Sequence, residues 1–496
     1  MRKLATRVLV LVFLASAFLA LASDVAKADE PKAKNVILVI ADGNGYNSDI
    51  MGSYWRTGEE FGLEYNKFPV KGASAHFMLH KHSDGTVEWD PEKEPEKNMG
   101  YVGEEFWKGP QGANWRPTNT QTTDSAASAT AMNTGVKTLG GYVNISKTGE
   151  KLENFADKNY KAGRSVGVVT TAQISHATPA GASAHNESRG NYQQIGYEQI
   201  HDLPLTVLMG SGHPAFSNGK KVDKPADEWN YNFVGGRELW EKVSKNDGYH
   251  GWTFFDDRPD FAALAAKTPG SADLPKRVLG VVRTTGDVPP IDGDADNPDS
   301  MIERWGKETV DAIPSLTEMT VGALNVLSQN ENGFYLMVEG GNIDHANHAN
   351  NAANSVLEHA GFSKAIDAAI EWVEKYSSWD ETIMIMTADH ETGQIWGAGT
   401  YDDDNDDGKF KEKDDTFNEF MPVPATEKGK VPEVQYLSGS HTNALVPVYI
   451  KGVGAEKYYD FVRGTDEKAG EFWKFDGKFI FNSDIYNIMS AASGIK

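Results

Sequence analysis

Apolar residues in this chain gather into short, nearly unbroken runs: NVILVIA at 35–41, SVGVVTT at 165–171, GFYLMVE at 333–339, ETIMIMTA at 381–388 and ALVPVYI at 444–450. Runs of that length without polar alternation predict strands buried on both faces, as in a sheet with helices on either side. Helical patterning fills the intervals, at 316–328 ahead of one strand and at 349–375 ahead of the next. Strand–helix alternation from residue 35 to residue 450 predicts an α/β fold on one large, parallel-rich sheet. Length alone, 496 residues, would suggest two or three cores; the alternation argues for one. Ligands in such sheets bind beyond the carboxyl ends of the strands, and polar residues stand out there: Asp42, Glu339 and the Asp389–His390 pair. Residues 52–120, rich in Gly, Trp, Lys and Glu without a clean period, read as a long insertion that leaves the sheet. No internal repeat is visible.

The first residues stand apart from this pattern. Arg2, Lys3 and Arg7 precede an apolar run over 8–22, and A-x-A patterns follow at Ala20/Ala22 and Ala26/Ala28. That layout is a secretory signal peptide over 1–28, too short to read as a spanning helix. It leaves residues 29–496 as the mature catalytic domain, secreted or periplasmic. With no cysteine, the chain has neither a lipoprotein anchor nor disulfides nor thiolate metal ligands. Any metal must sit on Asp, Glu, His and hydroxyl oxygen, a set that suits zinc and magnesium. A formal charge of −23 repels nucleic acid and anionic membranes, so neither is expected as a partner.

Four stretches carry candidate chemistry. In Thr123–Asp124–Ser125–Ala126–Ala127–Ser128, an acidic residue precedes a serine, with small residues following. Alone it reads equally as an N-cap on an Ala-rich helix or as a serine at a helix start, where backbone N–H groups and the dipole favour an incoming phosphate. Asp42, before Gly43, can be a simple Asp-Gly turn or a carboxylate reaching a buried ion from a strand end. Glu339-Gly-Gly-Asn-Ile-Asp344-His345-Ala-Asn-His348 closes a strand and then places Asp344 and His348 four apart, on one helical face, where the pair can clasp a zinc. Asp389 and His390 are adjacent, so both reach one site only if the backbone curls at the strand exit. His441, before the strand at 444, is uninformative by itself.

Taken together, these residues resemble the alkaline phosphatase family, whose signature is an Asp-Ser-Ala run followed by small residues and threonine. The resemblance runs from about residue 35 to about residue 450, with the expected ligands in the family's order. It implies a three-layer α/β/α sandwich with surface insertions, usually a homodimer, that hydrolyses small phosphate monoesters. By resemblance Ser125 is the nucleophile that becomes phosphorylated. One zinc takes Asp344, His348 and His441. A second takes Asp42, Asp389, His390 and the Ser125 oxygen. A third ion, magnesium, takes Asp42, Thr178 and Glu339. Arg189, eleven residues after Thr178, is implied as the fork onto two phosphate oxygens, a task its planar donors suit. Some bacterial members carry Asp and Lys where this chain has His176 and His345; vertebrate members carry His at both. His176 therefore joins the third-site ligands, with magnesium, zinc or cobalt open there. Asn44 stands where methionine is common.

Two acidic stretches match part of a calcium loop: Asp403-x-Asn405-x-Asp407-Gly408 with Asp414 at position twelve, and Asp292-x-Asp294-x-Asp296 with Asn297 and Glu303. The alternative for each is a solvated acidic loop. Three other functions remain open at this level. A phosphodiesterase or a sulfatase of the same superfamily would share the sheet and the metal pair, although Arg189 with Thr178 and Glu339 favours monoesters. The third is a non-catalytic extracellular protein that binds cations and phosphate.

Overall fold

A computed structural model describes residues 32–80, 100–111, 122–294, 296–403, 410–411 and 415–496. The expected signal segment, 1–28, lies outside them. Eleven strands form the central sheet: β1 Asn35–Ala41, β2 Val70–Ala75, β3 Ser165–Gln173, β4 Val207–Ser211, β5 Thr253–Phe255, β6 Val278–Val281, β7 Phe334–Gly340, β8 Thr382–Thr387, β9 Val446–Gly452, β10 Gly464–Thr465 and β11 Lys478–Phe481. Their order is β10-β11-β2-β9-β8-β1-β7-β3-β4-β6-β5. Seven of the ten pairings are parallel and three antiparallel, so the sheet is mostly parallel as expected.

The continuous apolar runs are explained by burial on both faces. In β1, Ile37 and Val39 join one hydrophobic cluster with residues of helices α3 Leu316–Leu327 and α5 Ala352–Tyr376. Val36, Leu38 and Ile40 join the opposite cluster with residues of α6 Asp484–Ser493. Successive side chains thus feed two helical layers, and every residue of β1 is buried. This is the three-layer architecture.

Register brings the carboxyl ends together. Ile40 pairs with Glu339 on one side and Thr387 on the other, and Thr170 pairs with Glu339. The residues that leave β1, β3, β7 and β8 therefore emerge along one edge of the sheet.

Three expectations need correction. Residues 52–120 do not simply leave the sheet, because they supply β2, which pairs with β9 and β11. The sequence VKGASA has too few bulky apolar residues to announce a strand. Its small residues serve close approach: a Cβ on Gly72 would lie 2.1 Å from the Tyr458 hydroxyl. That hydroxyl accepts the Ala73 amide at 3.0 Å and donates to Lys478 O at 2.7 Å. Alternation also does not stop at residue 450, since β11 and α6 complete the sheet and one helical layer. Finally, the helix expected over 349–375 begins at Ala352 and is separated from α4 Asn342–His348 by a break in which Asn350 takes φ 52°.

Gly72→Ala is expected to destabilise the fold by about 1–3 kcal/mol, the usual cost of overpacking a filled site. A lower urea midpoint with an unchanged m-value would be its signature.

Candidate active site

Ser125 opens α1 Ser125–Thr134, whose residues are all buried. Asp124 is the N-cap: its Oδ1 accepts the amides of Ala127 at 3.1 Å and Gly141 at 3.0 Å. The small residues of α1 allow the turn of helix at α2 Ala177–Gly181 to pack close, because a Cβ on Gly181 would stand 2.4 Å from that of Ala129. That packing brings Thr178 toward the serine end of the sheet. The other oxygen of Asp124 accepts Arg189 Nη1 at 2.9 Å, and the Arg189 amide donates to Gly141 O at 2.7 Å. The cap of the serine helix is therefore also the anchor of the arginine. Burial would raise the Asp124 carboxyl, but Arg189 together with the amides of Gly141 and Ala127 outweighs it and holds the group below its usual range. Sequence reasoning saw Asp124 only as a cap.

Asp42 follows β1 directly. Gly43 turns the chain away with φ 72°, and a Cβ there would lie 2.6 Å from Asp344 Cα, so both the turn and the close approach require glycine. Asp42 Oδ2 accepts Thr178 Oγ1 at 3.4 Å. Asp389 Oδ1 accepts the amides of Gly43 at 3.1 Å and His390 at 2.9 Å. His390 Nε2 sits at the middle of a tight group: 3.2 Å from Ser125 Oγ, 3.1 Å from Asp389 Oδ2 and 3.5 Å from Asp42 Oδ1. Glu339, on β7, accepts the Thr170 hydroxyl.

On α4 the four-residue spacing works as the sequence suggested, with His348 Nε2 3.3 Å from Asp344 Oδ2. His441 arrives on a two-residue strand, His441–Thr442, paired antiparallel with Glu391–Thr392. Its Nε2 lies 3.7 Å from Asp344 Oδ1 and 3.1 Å from His348 Nε2. The Nδ1 atoms of these two imidazoles lie 2.8–2.9 Å from backbone carbonyls, His348 from Gly439 O and His441 from Thr123 O. A neutral ring that donates from Nδ1 presents a lone pair at Nε2, so two lone pairs and a carboxylate converge.

That donor chemistry fits cations. Asp42 Oδ1, Asp389 Oδ2 and Glu339 Oε1 are buried without hydrogen-bond partners, which is costly for carboxylates. Burial and then the neighbouring Asp389, Asp344 and Glu339 push the Asp42 carboxyl well up; burial pushes Glu339 up to about 7. Asp344 moves the other way, since His348, His390 and His441 together overcome its burial. Among the described residues, donors within 4.8 Å of one another form two groups, Asp344–His348–His441 and Asp42–Asp344–His390. Asp344 belongs to both.

His176 and His345 meet edge to face with ring centroids 6.0 Å apart, and His176 Nε2 is 3.5 Å from Arg189 Nη2. Burial, Arg189 and His345 press the His176 imidazole down to about 4. His345 Nδ1 meets Asp287 Oδ2 at 2.6 Å, and that contact lifts it to about 9. Asp287 lies between a Gly and a Val in a loop and carried no sequence signal. Elsewhere, Asp294 bonds to Asn297 and Ser300. Asp292 accepts Thr317, and Asp296 pairs with Lys428 at 2.6 Å. Asn405, Asp407, Gly408 and Asp414 lie outside the described residues.

A buried serine at a helix start, carboxylates and imidazoles set to hold cations, and a tethered arginine together describe a hydrolase of anionic esters. The family model for alkaline phosphatase matches residues 111–436, and the chain belongs to that family. It is a phosphatase, a hydrolase of phosphate monoesters. It is 29% identical over 395 residues to alkaline phosphatase 4 of Bacillus subtilis, a match covering 70% of this chain and 75% of the relative. It is likewise 29% identical over 389 residues to the alkaline phosphatase of Escherichia coli K12, covering 73% and 70%. Among solved structures, the Thermus thermophilus alkaline phosphatase superposes with a TM-score of 0.61 at 20% identity, over 96% of this chain and 95% of that one. At that identity the likeness speaks for the fold.

The loop leading to Arg189 carries a pH-sensitive anchor. His185 Nδ1 lies 3.1 Å from Glu198 Oε1 and its Nε2 3.3 Å from Asp157 Oδ2. Burial opposes the charge, but the two carboxylates raise the imidazole to about 9. Because the folded value lies above the unfolded one of about 6.5, this stabilisation is complete below about pH 6.5 and is lost as pH rises through about 9. Between pH 6.5 and 9.5 the wild type should lose about 3 kcal/mol more stability than His185→Gln, as read from paired urea titrations.

Proposed function

We propose that this phosphatase works through Ser125 as a covalent nucleophile at a site that holds two zinc ions and one magnesium ion. The observation that carries the reading is Ser125 Oγ at the head of α1, 3.2 Å from His390 Nε2 and beside two buried carboxylate oxygens that have no hydrogen-bond partner. Asp344, His348 and His441 would hold one zinc. Asp42, Asp389 and His390, with the Ser125 oxygen, would hold the second. Asp42, Thr178 and Glu339 would hold magnesium, with His176 beside them. Bound there, the cations would supply the positive charge that activates the serine hydroxyl and neutralises the phosphoryl and leaving oxygens.

The chain's own residues do the rest. The amides of Ser125 and Ala126, which the Asp124 cap does not use, and the Arg189 guanidinium bind the non-bridging oxygens and aim phosphorus at Ser125 Oγ. Asp124 keeps Arg189 in place through Nη1. Ser125 Oγ gives up its proton to solvent as it attacks phosphorus, the ester P–O bond breaks, and the alcohol leaves with a proton from solvent. Water then attacks the phosphoserine, the bond to Ser125 breaks, the hydroxyl regains its proton and inorganic phosphate departs. A monoester dianion carries one more non-bridging charge than a diester, and Arg189 with the Thr178–Glu339 site is placed to offset it.

Export also belongs to this reading, from the basic and apolar start over 1–28. No helix among the described residues is long and apolar enough to cross a membrane. A homodimer is the assembly the family resemblance implies.

With protein loaded with zinc and magnesium, a nitrophenyl phosphate monoester should be hydrolysed far faster than its diester or its sulfate ester, and chelator should abolish turnover. A diester or sulfate preference would overturn the monoester reading of Arg189. Ser125→Ala should lower kcat by about a thousandfold or more. The wild type, quenched at low pH during turnover, should carry phosphate on Ser125 by mass spectrometry. Turnover that survives Ser125→Ala would sink the covalent route. Arg189→Ala should raise KM about tenfold or more, the cost of a lost bidentate, charge-assisted contact.

A further inference from the structure

The peptide joining Asp389 to His390 has a particular task. Neighbouring residues on a strand point to opposite faces, yet Asp389 Oδ2 and His390 Nε2 meet 3.1 Å apart at one centre. β8 has ended at Thr387, so the carbonyl of Asp389, the one within that peptide, lies past the ladder. A buried carbonyl needs a partner. Ser128 Oγ supplies it, donating at 2.7 Å. Ser128 sits on α1 one turn beyond Ser125, so the bond ties the nucleophile's helix directly to the curled backbone.

Ser128 is itself held. Asn482 Nδ2 donates to Ser128 Oγ at 2.7 Å, which leaves the single hydroxyl proton for the Asp389 carbonyl. Lys137 Nζ donates to Asn482 Oδ1 and, at 3.1 Å, to Phe77 O. Burial pushes the Lys137 amine down to about 7, but charged or neutral it donates from Nζ, and only the side-chain oxygen of Asn482 can accept, which turns the NH2 end toward Ser128. Asn482 is further fixed by its backbone N–H, which donates to Ala75 O at 3.0 Å at the end of β2. Ser128 and Asn482 are fully buried, and Lys137 is 7% exposed. None of the three touches the reacting atoms.

We propose that Lys137, Asn482 and Ser128 form a positioning relay that holds the Asp389–His390 peptide turned, so that both side chains address the centre beside Ser125. The inference rests on the reading of Asp389 and His390 as metal ligands. Asn482 lies beyond residues 111–436, the span matched to the family, so the relay ties a segment outside that span to the reaction.

The test uses full-length, metal-loaded protein and three readouts: kcat against KM for nitrophenyl phosphate, zinc affinity by chelator competition, and the urea midpoint. Ser128→Ala should lower kcat about tenfold with KM within about twofold, and weaken zinc binding by about tenfold, while Ser128→Thr, which keeps the hydroxyl, restores both. Asn482→Ala should act in the same direction. The double variant should be little worse than Ser128→Ala alone, because the two residues act through one bond. Should Ser128→Ala fail to fold, Asn482→Ser carries the same readouts. A midpoint that falls while kcat and zinc affinity stay at wild-type values overturns the relay, as do additive losses in the double variant. If Asp389→Ala and His390→Ala keep full zinc and turnover, the ligand reading falls and takes the relay with it. If those two lose zinc and Ser128→Ala does not, the relay alone falls.

Discussion

Everything in this structure answers to the crowding of like charges at one edge of the sheet. Asp42, Glu339, Asp344 and Asp389 are all buried there, and three of them keep an oxygen with no hydrogen-bond partner. Such a cluster is unfavourable unless positive charge meets it. The cations that the donor set fits would provide that charge, and the imidazoles held by their Nδ1 atoms would present lone pairs to them. The parallel register of β1, β3, β7 and β8 is what makes the crowding possible, since it delivers four strand ends to nearly one level. The apolar layers above and below supply the stability against which the repulsion is set.

The core strands were legible in the sequence because burial on both faces leaves a mark that a single chain can show. Residues 35–41 and 382–387 have no polar alternation, and β1 and β8 follow the predicted runs within a residue or two. β2 was not legible, because VKGASA is built from residues chosen for what they lack. β6, VLGV, is short and interrupted by glycine in the same way. A strand whose neighbours press close must be made of small residues, and small residues carry little hydrophobic signal.

The candidate site divides along a similar line. Asp344 and His348 could be paired from their spacing, because helical geometry turns a four-residue interval into a shared face. The adjacency of Asp389 and His390 indicated that the backbone must curl but not what holds the curl. Ser128 and Asn482, which do so, are 354 residues apart in the chain. Asp287 and His345 are 58 apart. Partners of that separation have no local pattern, and only the fold reveals them. The resemblance to a known family supplied the roles of His441 and Thr178, which the residues alone would not have given.

β11 pairs in parallel with β2 across some four hundred residues of chain. Contacts of that separation form late, because the loop they close must lose its freedom before any contact repays it. While the chain is being made, the serine helix and the strand ends can be present without the edge that braces them. The bond from Asn482 to Ser128 can form only once the residue after β11 has reached the sheet, so the brace of the serine helix is completed from the C-terminal end of the chain.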